Sequence, residues 1–152
     1  MATSSSVIVS LLLTLLASFS CVTSDSLDDN FLQCFSSNLL NYSKPISEVV
    51  LAKNTSPYSS VFQSSVRNLR FLNTSNTKPG FIITPFHESH IQTAIVCAKT
   101  YDMQIRIRSG GHEYEGLSFV SEEKFVLIDL AHLRSVSVDI EKKSAWVESG
   151  AI

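Results

Sequence analysis

Glycine, proline and unbalanced charge are all scarce in this sequence, and each shortage narrows what the chain can be. Five glycines and four prolines among 152 residues, with 44% hydrophobic and 17% charged side chains, describe a globular composition long enough to bury a core. A formal net charge of −2 provides no general basic field for nucleic acid or an anionic membrane. Long apolar runs are missing too. The one candidate, Val7 to Ala17, has signal-peptide length and falls short of a membrane span. No lysine or arginine precedes it, so the terminal amine must supply the positive charge of a leader; a signal anchor is the alternative reading. There are no internal repeats.

Residues 1–24 are read as a signal peptide, since Val22 and Ser24 are small enough to precede cleavage and a mature chain would begin near Asp25. Cleavage removes Cys21 and leaves Cys34 and Cys97. Two cysteines in an oxidising compartment favour one disulfide over two buried free thiols. Closing so long a loop stabilises a fold by about 4 kcal/mol in the chain-entropy picture. Sequons at Asn41, Asn54 and Asn73 fit a secreted glycoprotein.

The hydrophobic pattern changes period along the chain. Asp28-Asp29-Asn30 caps a predicted helix carrying Phe31, Leu32, Phe35 and Leu39, with Cys34 on it. Residues 41–55 read as a loop or extended connection. Ser56-Pro57 supplies an N-cap and first position for a second helix, along which Tyr58, Val61, Phe62, Val66, Leu69 and Leu72 recur at helical spacing. Pro79-Gly80 marks a boundary. A β–α–β pattern follows: Phe81-Ile82-Ile83 as a buried strand, a helix from Thr84-Pro85, and a strand from Gln104 to Arg108. In the helix Ile91, Ala94, Ile95 and Ala98 share a face, with Cys97 on its shoulder. In the strand Ile105 and Ile107 alternate with Arg106 and Arg108. Phe125 to Leu130 reads as an interior strand, and Val136 to Ile140 with Ala145 to Val147 as a hairpin. The phenylalanines and Trp146 read as core. His87, Glu88 and His90 invite a metal site by their spacing. No further compact ligand set accompanies them, so exposed polar residues are expected there and no metal. His132 reads as a loop residue.

The chemistry concentrates in Arg106-Ile107-Arg108-Ser109-Gly110-Gly111-His112-Glu113-Tyr114-Glu115-Gly116. A short strand runs into paired glycines, which let a backbone turn sharply and bring successive N–H groups together as an anion nest. A histidine at its lip offers a nucleophilic or metal-binding nitrogen. The glycine spacing is not G-x-G-x-x-G, and no P-loop lysine is present. The segment points to a phosphate-bearing cofactor held by backbone, with His112 reaching its reactive part. A plain glycine turn with a surface histidine is the alternative. Arg106 and Arg108 could face a phosphate, with at least one on a solvated strand face. Glu113 and Glu115 are either partners around His112 or loop carboxylates, and Tyr114 could pack near the cofactor.

The string from Arg108 to Ser118, R-S-G-G-H-E-Y-E-G-L-S, resembles the flavin-attachment segment of the berberine bridge enzyme-like family. These are plant FAD-linked oxidases of the vanillyl-alcohol oxidase/p-cresol methylhydroxylase (PCMH) superfamily. The similarity runs from about Asp29 to the last residue. It includes Asn30-Phe31-Leu32-Gln33-Cys34, Asn68-Leu69-Arg70-Phe71, Lys78-Pro79 with Ile82-Ile83-Thr84-Pro85, and Ala145-Trp146-Val147-Glu148-Ser149-Gly150-Ala151. The resemblance implies an α+β fold: an N-terminal helical segment over 25–77, then the first α/β lobe of a PCMH-type FAD-binding domain over 78–152, incomplete at its C-terminus. It implies FAD held by Arg108, Ser109, Gly110, Gly111, His112 and Glu113, with the backbone of 109–113 along the pyrophosphate. His112 would be joined through Nδ1 to the flavin 8α-methyl carbon. A Cys34–Cys97 bridge is also implied. The family's second, cysteinyl tether and its substrate-side bases lie downstream, so no catalytic base is assigned.

The implied protein is a secreted oxidoreductase. It takes a hydride from a small organic substrate to covalent flavin and passes electrons onward, often to molecular oxygen. This chain is expected to be its N-terminal fragment, inactive alone. Its expected destination is the extracellular space or cell wall by the secretory route, with the vacuole as a further one. No nucleic acid and, after signal cleavage, no membrane is expected as a partner. The rival reading is a non-catalytic truncated secreted glycoprotein without stable flavin.

Overall fold

A computed structural model describes residues 26–39, 44–53, 55–73 and 78–152. The leader over 1–24, Cys21, Asn41 and Asn54 lie outside the described residues, whereas Asn73 lies within them and is exposed. Among the described residues, four helices, α1 (Leu27–Asn38), α2 (Ile46–Val49), α3 (Ser56–Ser65) and α4 (Glu88–Thr100), accompany six strands. The strands are β1 (Val50–Ala52), β2 (Phe81–Ile83), β3 (Gln104–Arg108), β4 (Phe125–Asp129), β5 (Val136–Asp139) and β6 (Ser144–Val147). Single 3₁₀ turns occupy Leu69–Phe71 and Leu130–His132.

The main sheet runs β1-β2-β4-β3, with β1 antiparallel to β2 and the other three strands parallel. β4 thus slots between β2 and β3, which the α4 crossover leaves apart. Every residue of β4 is buried, as its unbroken apolar run predicts. Alternation along the strands sends side chains to two cores. Phe81, Ile83, Val126 and Ile128 meet α1 and α4, where Phe31 stacks on Phe81 at 4.3 Å. Ile82, Phe125 and Leu127 meet Tyr58, Phe62 and Val66 from α3 and its exit, together with Phe119 and Val120. The Cys34–Cys97 disulfide ties α1 to α4, as the resemblance implies.

Several expectations shift, each for a local reason. Ser26, not Asp28-Asp29-Asn30, caps α1: its hydroxyl accepts from the Asp29 N–H at 3.2 Å, which leaves Asp28 and Asp29 in the first turn beside the helix dipole. The stretch 41–55 contains α2 and strand β1 in its described part. Thr55 caps α3, so Ser56-Pro57 falls one position inside it. That helix ends at Ser65 because Val66 turns extended to bury its side chain. α4 begins four residues later than Thr84. Thr84 extends the β1–β2 pairing, donating from its N–H to the Val49 carbonyl and from its hydroxyl to the Glu48 carbonyl, each at 2.8 Å, and His87 provides the cap. The buried face of α4 is also rotated from the expected one. His90, Thr93, Ala94, Cys97 and Ala98 face inward and Ile95 outward, since the bridge to α1 turns Cys97 to the centre. His90, expected to be exposed, is fully buried. Trp146, expected in the core, is 87% exposed on the β5–β6 hairpin, a two-stranded sheet of its own.

Candidate functional site

The three parallel strands end together, and their ends build a crevice of about 340 Å³. Thr84 follows β2, Ser109 and Gly110 follow β3, and Asp129 closes β4; α3 completes the wall with Val61 and Ser64. The carboxyl edge of a parallel sheet is where open α/β folds bind ligands. Arg108 and Asp129 are register partners on β3 and β4, and they form an ion pair there with 6% and 3% exposure. The other Asp129 oxygen accepts from the Ala131 N–H at 3.2 Å, which fixes the carboxylate. The Arg108 guanidinium lies over the Phe119 ring, 5.8 Å from its centroid, and its Nη1 has no partner among the described residues. Truncating one partner of such a pair would leave a buried charge uncompensated. Arg106 differs: it is half-buried and donates to the Gln104 side chain at 3.2 Å.

The chain turns at once after Arg108. Gly111 adopts φ +64°, a left-handed conformation costly for a residue with a side chain, and it packs over the Arg108 stem. A Cβ on Gly110 would lie 2.5 Å from Cδ2 and Nε2 of His112, so the imidazole rests directly on that glycine. The Ser109 hydroxyl donates to the Ser149 carbonyl at 2.7 Å. The backbone N–H groups of Gly110, Gly111 and His112 donate to no backbone carbonyl among the described residues. The Glu113 carboxylate accepts from the N–H groups of Glu115 and Leu117 and so shapes the loop, the second of the two roles open to it. Glu115 and Tyr114 are exposed. His112 is exposed at the rim of a second cavity, about 400 Å³, bounded also by Asn68, Leu69, Phe71, Glu113 and Phe119. Arg67 borders both cavities and donates to the Gly110 carbonyl at 3.3 Å.

These residues fit a diphosphate-bearing cofactor. A buried arginine with an unused donor, a glycine turn with unclaimed N–H groups and an exposed imidazole stand in sequence along one stretch of backbone. Asp129 and Arg67 escaped the sequence reading. The only signal for Asp129 was a carboxylate near the end of an apolar run; Arg67, between Val66 and Asn68, carries none. His87 and His90 serve the start of α4, where the His90 Nδ1 accepts from the Phe86 N–H at 3.2 Å. No group of three or more metal-ligating side chains gathers among the described residues, and no helix among them is long and apolar enough to cross a membrane.

A family described as FAD binding domain matches residues 79–152. Tetrahydroberberine oxidase from Berberis wilsoniae is 47% identical over 146 residues, covering 96% of this chain and 26% of that protein. Berberine bridge enzyme-like 26 from Arabidopsis thaliana is 48% identical over 130 residues, covering 83% of this chain and 24% of the relative. The chain belongs to the berberine bridge enzyme-like family. It spans about a quarter of the length of these relatives. Solved structures agree with the α/β architecture. Phl p 4, a grass pollen allergen with glucose dehydrogenase activity, superposes with a TM-score of 0.70 at 42% identity, over 80% of this chain and 24% of that one. A variant of berberine bridge enzyme gives 0.67 at 36% identity over the same shares. In this partial PCMH-type domain the glycine turn lies inside the matched FAD-binding region, whereas Arg67 and α3 lie before it.

Proposed function

We propose that the chain is the N-terminal part of a secreted FAD-dependent oxidoreductase that oxidises a small organic substrate by hydride transfer to flavin held covalently by His112. The observation that carries this reading is the buried Arg108–Asp129 pair at the strand ends, followed immediately by a glycine turn and an exposed imidazole. Bound flavin supplies the two-electron chemistry. Arg108 and the N–H groups of Gly110 to His112 hold the diphosphate, with Ser109 and the backbone of Glu113 completing the cradle. The His112 ring, seated on Gly110, is the tether through Nδ1. The relatives' names point to an alkaloid in one case and a sugar in another, so the substrate class stays at small organic molecules. Molecular oxygen is proposed as the electron acceptor. Residues 1–24 are proposed to be cleaved in the secretory pathway and Asn41, Asn54 and Asn73 glycosylated, with the cell wall, the extracellular space or the vacuole as destination.

The test is visible absorption and intact mass of the chain secreted from a eukaryotic host, then deglycosylated and denatured. A yellow protein carrying the mass of one FAD, lost in His112→Ala, is the expected result. Flavin still covalent in His112→Ala overturns the role of His112. A colourless native chain supports the rival, a fragment without stable flavin. Exposed Val138, Ile140 and Trp146 on the hairpin favour that rival for the isolated chain.

A further inference from the structure

Arg67 belongs to the connection between α3 and the 3₁₀ turn at Leu69–Phe71, before the matched FAD-binding region begins. Arg67 nevertheless lines both cavities. It borders the strand-end crevice together with Ser109 and Gly110, and the second cavity together with Gly111 and His112. Its Nη2 donates to the Gly110 carbonyl at 3.3 Å, across 43 residues of sequence. Gly110 in turn touches the imidazole: any Cβ there would sit 2.5 Å from two ring atoms of His112. The contacts form a short mechanical chain in which a displaced Gly110 peptide must displace the His112 ring. The other side of the turn is held by Ser109, which is tied to the Ser149 carbonyl. Arg67 is therefore the tie on the α3 side, and it brings a positive charge to the rim of a crevice suited to an anion.

We propose that Arg67 is a positioning residue for attachment of the cofactor: it pins the Gly110 peptide, and through it sets the His112 ring, whose Nδ1 would bond to the flavin 8α carbon as the Nδ1–H and one 8α C–H bond break, both hydrogens and the C–H electron pair passing to the flavin ring and from there to molecular oxygen. The proposal rests on the role given to His112 above. It assigns a part of the cofactor site to the segment that precedes the FAD-binding domain. Misplacement of a reacting group by about 1 Å can cost about a hundredfold in rate, so a lost tie should be visible in the attachment step itself.

The experiment compares the wild-type chain, Arg67→Ala and Arg67→Lys, each produced without flavin in a riboflavin-starved host and incubated in air with saturating FAD. Covalent uptake is followed by intact mass after denaturation. Hydrogen exchange of peptides spanning 109–113 and the thermal midpoint are read on the same samples. Arg67→Ala should attach flavin at least about tenfold more slowly at saturating FAD and exchange faster over 109–113, with its midpoint little changed. Arg67→Lys, which keeps the charge and a donor, should recover most of both losses. Attachment by Arg67→Ala at the wild-type rate overturns the proposal while leaving His112 as the tether. Absence of uptake by the wild-type chain supports the rival, a fragment without stable flavin, and overturns this proposal for the chain.

Discussion

His90 shows what a single buried side chain can do to a small domain. Its ring is sealed inside the fold, its Nδ1 accepts the Phe86 N–H, and its Nε2 has no partner among the described residues. Burial, and then the neighbouring charge of His87, pushes its pKa below the ordinary histidine value. The neutral ring is the form the fold accommodates. As pH falls through about 6.5 the unfolded chain takes up a proton that the folded chain refuses, so stability is full above that pH and declines below it. Urea unfolding at about pH 7.5 and about pH 5.5 should show the loss in the wild type and a flatter dependence in His90→Asn. Equal slopes in the two proteins would remove His90 from this role. Asp139 acts in a separate, more acidic window: hydrogen bonds from the Lys142 backbone and side chain hold its carboxyl down, so its contribution fades only below about pH 4. The motif residues were legible at this scale because paired glycines beside a histidine have few structural uses. Burial of His90 was not, since polar neighbours in sequence say nothing of which helix face will turn inward.

Elements were legible in proportion to their length and regularity. β4 announced itself as an apolar run, β3 by strict alternation, and the β5–β6 hairpin by its charged turn. β1 did not: three residues between a short helix and a polar loop carry no period, and their pairing is decided by β2. The caps of α1, α3 and α4 fall to Ser26, Thr55 and His87, whose side chains accept from N–H groups of the first turn, a choice among neighbouring polar residues that sequence pattern does not resolve. The bond between α1 and α4 joins positions 63 apart in sequence, and its removal frees that whole loop in the unfolded state. Replacing both Cys34 and Cys97 with serine should therefore cost about 4 kcal/mol, read by chemical denaturation. A change within experimental error would mean that the helices are held by packing alone.

The whole molecule places two covered faces on one sheet and leaves a hairpin standing apart. The sequence contains a single tryptophan, Trp146, and the hairpin holds it in water. Native fluorescence should be red-shifted and fully open to acrylamide, changing little on unfolding; a blue-shifted native emission would mean that the hairpin face is covered. The strand order β1-β2-β4-β3 has a consequence for how this protein is made. Synthesis runs from the N-terminus, so Cys34 and Cys97 both leave the ribosome before Phe125 does. The covalent clasp can close while the middle of the sheet is still an open slot. Strand β4 would then enter a frame whose two helices are already joined, and its last residue, Asp129, would bring the counterion that Arg108 at the end of β3 needs.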